Sequence, residues 1–311
     1  MKSKNTAEAS NSCRIENLFF LSYMASWFWT VGGLLRVFTI LGNGFTSFLI
    51  ITRRRLFTLP NWFVLFLAVA DLSFVLCYFP ASLICNKYFH CNREHRIMVA
   101  SIFMYASVTN LVAMTIDRYI AIAFPLRYVA LMTSRRVFAI ICSTWLFSAI
   151  LAASEYFVEH HTTSQATKKG FEVPRILVTE LTPAVLLVIV TGRILIIRRK
   201  HQRQAASQVS QILHNKRTER TGCRLKLARK KMSSVPMICT VVCVFIVCYA
   251  VNISLSICFG LEACNEPPEE VQDVLGILLI VNSLINPCAY AFLKRDIKRE
   301  CKLFLCGKLG E

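Results

Sequence analysis

Long apolar runs alternate with short polar stretches along this chain. A helix needs about 20 mostly apolar residues to cross a bilayer core. Seven runs of that length occur, at approximately 27–51, 61–84, 97–119, 137–157, 174–197, 233–261 and 274–293. Beyond the last run, Ile297, Cys301 and Phe304 recur at three- to four-residue spacing among charged residues, the pattern of a helix lying on a membrane surface. The pattern predicts an all-α integral membrane fold, a seven-transmembrane helix bundle with a short amphipathic surface helix after the seventh span.

Composition agrees. Of 311 residues, 55% are hydrophobic and 17% charged, too apolar for a soluble chain of this length. The 36 Lys and Arg exceed the 18 acids by a net +18, which on a soluble protein would suggest nucleic acid. Their location says otherwise. Connections at 52–60, 120–136, 193–231 and 294–311 hold 25 Lys or Arg and 4 acids, whereas the opposite side holds 9 and 11. The positive-inside rule then puts the amino terminus outside and the carboxyl terminus in the cytoplasm of a multi-pass plasma-membrane protein. Residues 1–26 become an extracellular segment, 27–293 the seven-span domain, and 294–311 a cytoplasmic surface helix and tail. The loop at 193–231 carries 13 Lys or Arg and one acid, which suits contact with anionic membrane lipids.

Ionisable residues inside spans are costly unless they face a partner or a cavity. Arg36, Asp71 and Glu180 stand out. Asp71 is near the middle of the second span, and the seventh carries Asn282, Ser283 and Asn286, with Asn282 and Asn286 on one helix face. A carboxylate facing amides and hydroxyls can hold water or a small cation such as Na⁺, or it can simply join helices; spacing leaves both open. Pro287 removes a backbone donor and loosens the seventh helix. Tyr290 then becomes either a group that swings between lipid and bundle or an interfacial anchor. The third span ends Asp117-Arg118-Tyr119, an acid and arginine able to neutralise each other when closed. No HExxH, paired cytoplasmic CxxC or nucleotide-binding loop occurs, so no enzyme is expected.

Taken together, Gly42-Asn43, Leu67-Ala68-Val69-Ala70-Asp71, Asp117-Arg118-Tyr119, Trp145, Pro183 and Asn286-Pro287-Cys288-Ala289-Tyr290 fall on six spans in order. In this they resemble the rhodopsin-like (class A) G protein-coupled receptors, over residues 27–306. The resemblance implies a switch in which an extracellular ligand favours an arrangement that lets a heterotrimeric G protein exchange nucleotide. Arg118 would contact the G protein, with Pro125 and Leu126 in the second inner loop. Asp71, Ser107, Asn282, Ser283 and Asn286 match the family's sodium and water site. Candidate pocket residues by family position are Met104, Tyr105, Arg175, Thr179, Glu180, Tyr249 and Asn252. Arg175 could attract an acidic ligand group, and snorkelling to the outer interface is the reading we favour. The residues after the seventh span are similar to the family's surface helix, where Cys301 and Cys306 are candidate palmitoylation sites.

Several positions depart from the pattern. Tyr249 and Val251 stand where the sixth span usually has tryptophan and proline. Thr191 replaces a fifth-span tyrosine, and Lys231 replaces a glutamate that restrains the arginine, which implies raised basal signalling. Residues 155–175 contain no cysteine and Arg93 occupies the third-span cysteine position, so the usual outer disulfide is missing. Local pairs Cys258 with Cys264, or Cys85 with Cys91, are the alternatives. The seventh span lacks the lysine of a retinal photoreceptor, and Ala100 replaces the aspartate of amine receptors, which disfavours a simple biogenic amine unless Glu180 substitutes. The tail has no Ser or Thr, so phosphosites for arrestin would be Ser207, Ser210, Thr218, Thr221, Ser233 and Ser234. The competing readings are a receptor-like chain that signals poorly and a seven-span transporter.

Overall fold

The structure is a computed structural model and describes residues 30–87, 93–215, 235–260 and 269–305. Among these, seven helices are long and apolar enough to cross a membrane: Thr30–Thr52, Leu59–Cys77, Ile97–Ala123, Ser134–His161, Ala166–Gln204, Val235–Cys258 and Val274–Leu293. The expected seventh span agrees to the residue, and the others differ mainly at their ends. Backbone polar groups have no water to bond in hydrocarbon, so each span satisfies its own groups as a helix.

The third span is central, packing against the second, fourth and fifth, while the sixth packs against the seventh. Leu67, Leu111, Met114, Val241, Phe245 and Tyr290 form one continuous core between them. Leu146, Ile150, Ile196, Val247 and Phe292 point outward, as apolar residues do where lipid is the solvent.

The polar stretch 158–173, between the expected fourth and fifth spans, is largely helical. The fourth span continues to His161, and a new helix, Gln165–Ile176, begins after Ser164, whose Oγ accepts from the Thr167 amide at 3.4 Å. That helix runs on into the fifth span through a π-helical segment, Leu177–Leu181. Pro183, two residues beyond it, has no N–H to give to the Thr179 carbonyl inside the segment, which accounts for the wider local winding. The sixth helix, Val235–Gly260, has no proline at its centre, where Val251 faces outward.

Gly42 in the first span lies against Pro287: a Cβ at Gly42 would sit 2.8 Å from the proline ring. The landmark glycine is therefore a packing requirement between first and seventh spans. After the seventh span, the helix Arg295–Leu305 buries Ile297 and sets Phe304 edge-on against Phe45 at 5.3 Å, fastening it to the first span as its amphipathic spacing predicts. We call the end carrying this helix the basic end.

Candidate functional site

Polar side chains gather at three levels of the bundle. At the middle, Asp71 is fully buried. Its Oδ1 accepts from Ser107 Oγ at 2.7 Å and Ser283 Oγ at 3.0 Å, and its Oδ2 accepts from Asn286 Nδ2 at 2.6 Å. One carboxylate thus joins the second, third and seventh spans. Asn43 brings in the first span by donating to the Ser283 carbonyl at 3.3 Å. Asp71, Met104, Ser107, Tyr249, Asn282 and Ser283 line a cavity of about 10 Å³, roughly the space one water centre needs. Asn282 Oδ1 is buried there with no protein hydrogen bond among the described residues. The donors are oxygens around one carboxylate, a set that suits a water or a small hard cation. Tyr249 is also buried, stacked on Phe245 at 4.1 Å.

At the basic end, Arg118 Nη2 lies 3.0 Å from Asp117 Oδ2, an ion pair whose angles fall outside hydrogen-bond geometry. Tyr128 fixes the other carboxylate oxygen by donating to Asp117 Oδ1 at 2.8 Å. The acid and arginine do neutralise each other, as their adjacency predicts. Tyr119 is edge-on to Phe124, and Pro125 and Leu126 are exposed on the following turn, Leu126 by 95%. Tyr290 is fully buried and its hydroxyl has no protein partner among the described residues, so it sits inside the bundle and the interfacial-anchor reading falls. The Thr191 hydroxyl is buried and unpaired likewise.

At the opposite end the structure corrects the snorkelling of Arg175. Its side chain is 14% exposed and turns inward toward three carboxylates. Nε donates to Glu172 Oε2 at 3.0 Å, a second bond joins Nη2 to Glu172 Oε1, and Glu180 Oε1 and Glu155 Oε1 lie at 3.7 and 3.9 Å. Tyr105 donates to Glu155 Oε2 at 2.8 Å, and Ser256 donates to Glu180 Oε1 at 3.3 Å. Four spans therefore meet through one guanidinium, and Glu180 Oε2 remains buried without a partner among the described residues. Thr179 and Asn252 turn back onto their own helices, bonding the Arg175 and Cys248 carbonyls. Met104 faces the central cavity instead.

Some expectations fall elsewhere. Lys231, Cys306, Thr218, Thr221, Ser233 and Ser234 lie outside the described residues, and the Ser210 side chain is likewise not described. Ser207 is exposed. Cys301 is half-buried against the core, and burial pushes its thiol up from its ordinary value. Cys258 is disulfide-bonded, while the Cys85 side chain is not described and Cys91 and Cys264 lie outside the described residues. Arg36 is buried, its guanidinium over Gly32.

Tyr128, Ser256 and Asp296 were not singled out from sequence, and neither were four further participants. Glu155 falls within the expected fourth span and carries the same signal as Glu180. Glu172 stands three residues before Arg175, a helical pairing distance. Asn61 and Lys294 read as ordinary span ends, yet both are buried and bonded to each other.

Seven apolar helices around a buried polar network define a multi-pass membrane protein. Its polar landmarks are those of a receptor bundle. The sequence model of the 7 transmembrane receptor (rhodopsin family) matches residues 42–290, and the chain belongs to that family. It is 26% identical to the histamine H2 receptor of Cavia porcellus, over 88% of this chain and 77% of that protein. It is 27% identical to the adenosine receptor A2a of Canis lupus familiaris, over 90% and 72%. The alpha-1A adrenergic receptor of Oryctolagus cuniculus is 24% identical, over 86% and 65%. These relatives are receptors, not enzymes.

Proposed function

We propose that this chain is a G protein-coupled receptor whose amino terminus is extracellular and whose basic end faces the cytoplasm. An extracellular ligand acts on the polar cluster of Tyr105, Glu155, Arg175, Glu180 and Ser256, and the basic end then opens to let a heterotrimeric G protein exchange nucleotide. The observation that carries this reading is the Arg118–Asp117 pair, held shut at the mouth of the basic end by Tyr128. Opening would free the guanidinium for a partner beside exposed Pro125 and Leu126. The excess of Lys and Arg on the same side supports the orientation.

Asp71, Ser107, Asn282 and Ser283 would hold Na⁺, with Asn286 bonded to the same carboxylate. A bound cation would supply counter-charge to Asp71 and favour the closed arrangement. The ligand is not retinal, because residues 274–293 contain no lysine. Ala100, buried where amine receptors have an acid, removes the usual ammonium partner. The relatives named for histamine, adenosine and adrenergic ligands support a small ligand, which here meets the Arg175 cluster instead. Ser207 supports arrestin recruitment through the inner loop after phosphorylation, and Cys301 is the described candidate for acylation.

The test needs no ligand. The chain and its Arg118→Ala variant are expressed at equal surface levels against a panel of G-protein subtypes. Basal activation that disappears in the variant is expected. Activation by neither, or equally by both, contradicts the reading.

A further inference from the structure

Lys294 is the single residue between the seventh span, which ends at Leu293, and the surface helix, which starts at Arg295. A lysine at such a corner ordinarily extends to water or lipid headgroups. This one is 3% exposed. Its Nζ donates to Asn61 Oδ1 at the start of the second span. Asn61, also buried, donates its Nδ2 to the Leu56 carbonyl at 2.7 Å and to Asp296 Oδ2 at 3.3 Å. The amide orientation follows from chemistry: an amine has only donors to offer, so it takes Oδ1 and leaves Nδ2 for carbonyl and carboxylate. Asp296 thus reaches the amine through the Asn61 amide. The backbone is fixed as well, since the Lys294 amide bonds Tyr290 at 3.2 Å and its carbonyl receives Lys298 at 2.8 Å.

A buried ammonium whose acceptor is a neutral amide is costly. Burial accordingly pushes Lys294 down to about 7. Asp296 on the surface helix opposes that shift; on the third span Arg118 adds to it and Asp117 opposes it. An exposed lysine titrates near about 10.4.

We propose that Lys294 is a positioning residue of the coupling end, a proton-operated latch. Neutral, it holds the surface helix to the second span through Asn61; protonated, it favours release of that corner. The coupling role rests on the function proposed above, whereas the latch itself is a property of the fold. The sign follows from linkage. The buried arrangement binds its proton less tightly than the released one, so falling pH favours release, and the released fraction grows about thirtyfold between about pH 8.5 and 6.

The experiment uses the full chain in lipid nanodiscs. Hydrogen–deuterium exchange is followed over residues 295–305 across that pH range and expressed as protection factors, which remove the intrinsic pH dependence. Protection should fall about thirtyfold toward pH 6. Lys294→Met, always neutral but with no donor for Asn61, should show protection that does not vary with pH, and Lys294→Arg, always charged, should stay poorly protected at every pH. Flat protection in the parent chain overturns the latch without any variant, and a Lys294→Met chain that follows the parent overturns the assignment to Lys294. Nucleotide exchange on an added G protein is measured in the same samples. Protection that varies with pH, with no exchange at any pH, leaves the latch standing and removes the coupling role. Exchange with flat protection does the reverse.

Discussion

Tyr128 donates its hydroxyl to Asp117 across eleven residues of chain at 2.8 Å, and Asp117 in turn holds Arg118 at 3.0 Å. Burial first, and then the Asp117 carboxylate, push the Tyr128 phenol well above its ordinary range, so it remains a donor. Replacing it by phenylalanine keeps the ring and removes only the bond that steadies the acid. Tyr128→Phe is expected to raise basal nucleotide exchange several-fold, a loss of about 1 kcal/mol from the closed arrangement. Exchange rates of parent and variant at matched surface expression check this, and unchanged rates would show that the hydroxyl has no part in closure.

Gly42 and Pro287 make a second prediction. A methyl group at Gly42 would meet the proline ring at 2.8 Å, and neither backbone nor ring is free to give way. Gly42→Ala should cost about 1–3 kcal/mol, the usual range for overpacking. Thermal unfolding in detergent reads it out, and a midpoint equal to the parent's would mean that the two spans separate without loss.

The central cavity predicts a sodium effect. If Asp71 supplies the charge, replacing choline by Na⁺ should raise the unfolding midpoint of the parent chain and lower its basal exchange. Asp71→Asn should lose both responses while keeping Ser107, Ser283 and Asn286 as hydrogen-bonding partners. A sodium response that survives in Asp71→Asn would place the ion elsewhere.

The Arg175 cluster predicts non-additivity. Removing the guanidinium alone leaves Glu155, Glu172 and Glu180 facing one another, so Arg175→Gln should be clearly destabilising. Adding Glu180→Gln removes part of that repulsion, and the double variant should be more stable than the sum of the two single changes predicts. Additive shifts in unfolding midpoint would mean that Arg175 and Glu180, 3.7 Å apart, act independently.

The spans were legible because lipid demands a long apolar helix, and Val274–Leu293 was bounded by charge on both sides. The Asp71 network was legible too, since a buried acid needs partners and Asn282, Ser283 and Asn286 stood at helical spacing. Arg175 was harder. Its position near a span end fits snorkelling, and only the fold shows that Glu155, fifty residues after Tyr105, arrives beside it. The stretch 158–173 fell between the expected fourth and fifth spans, yet the fourth helix runs on to His161 and Ser164 caps a new one. Asn61 and Lys294 were hidden for a different reason: amides and lysines flank spans everywhere, and 233 residues of chain separate the two.

The central claim is that the basic end opens to a G protein when Arg118 is released. Purified chain in nanodiscs, mixed with a GDP-loaded heterotrimer of the subtype selected in cells, tests it directly by the rate of GDP release. The account predicts release faster than from the heterotrimer alone, faster still with Tyr128→Phe, and returned to the heterotrimer's own rate with Arg118→Ala. Equal rates with parent and Arg118→Ala, both folded and both at the heterotrimer's own rate, would contradict it.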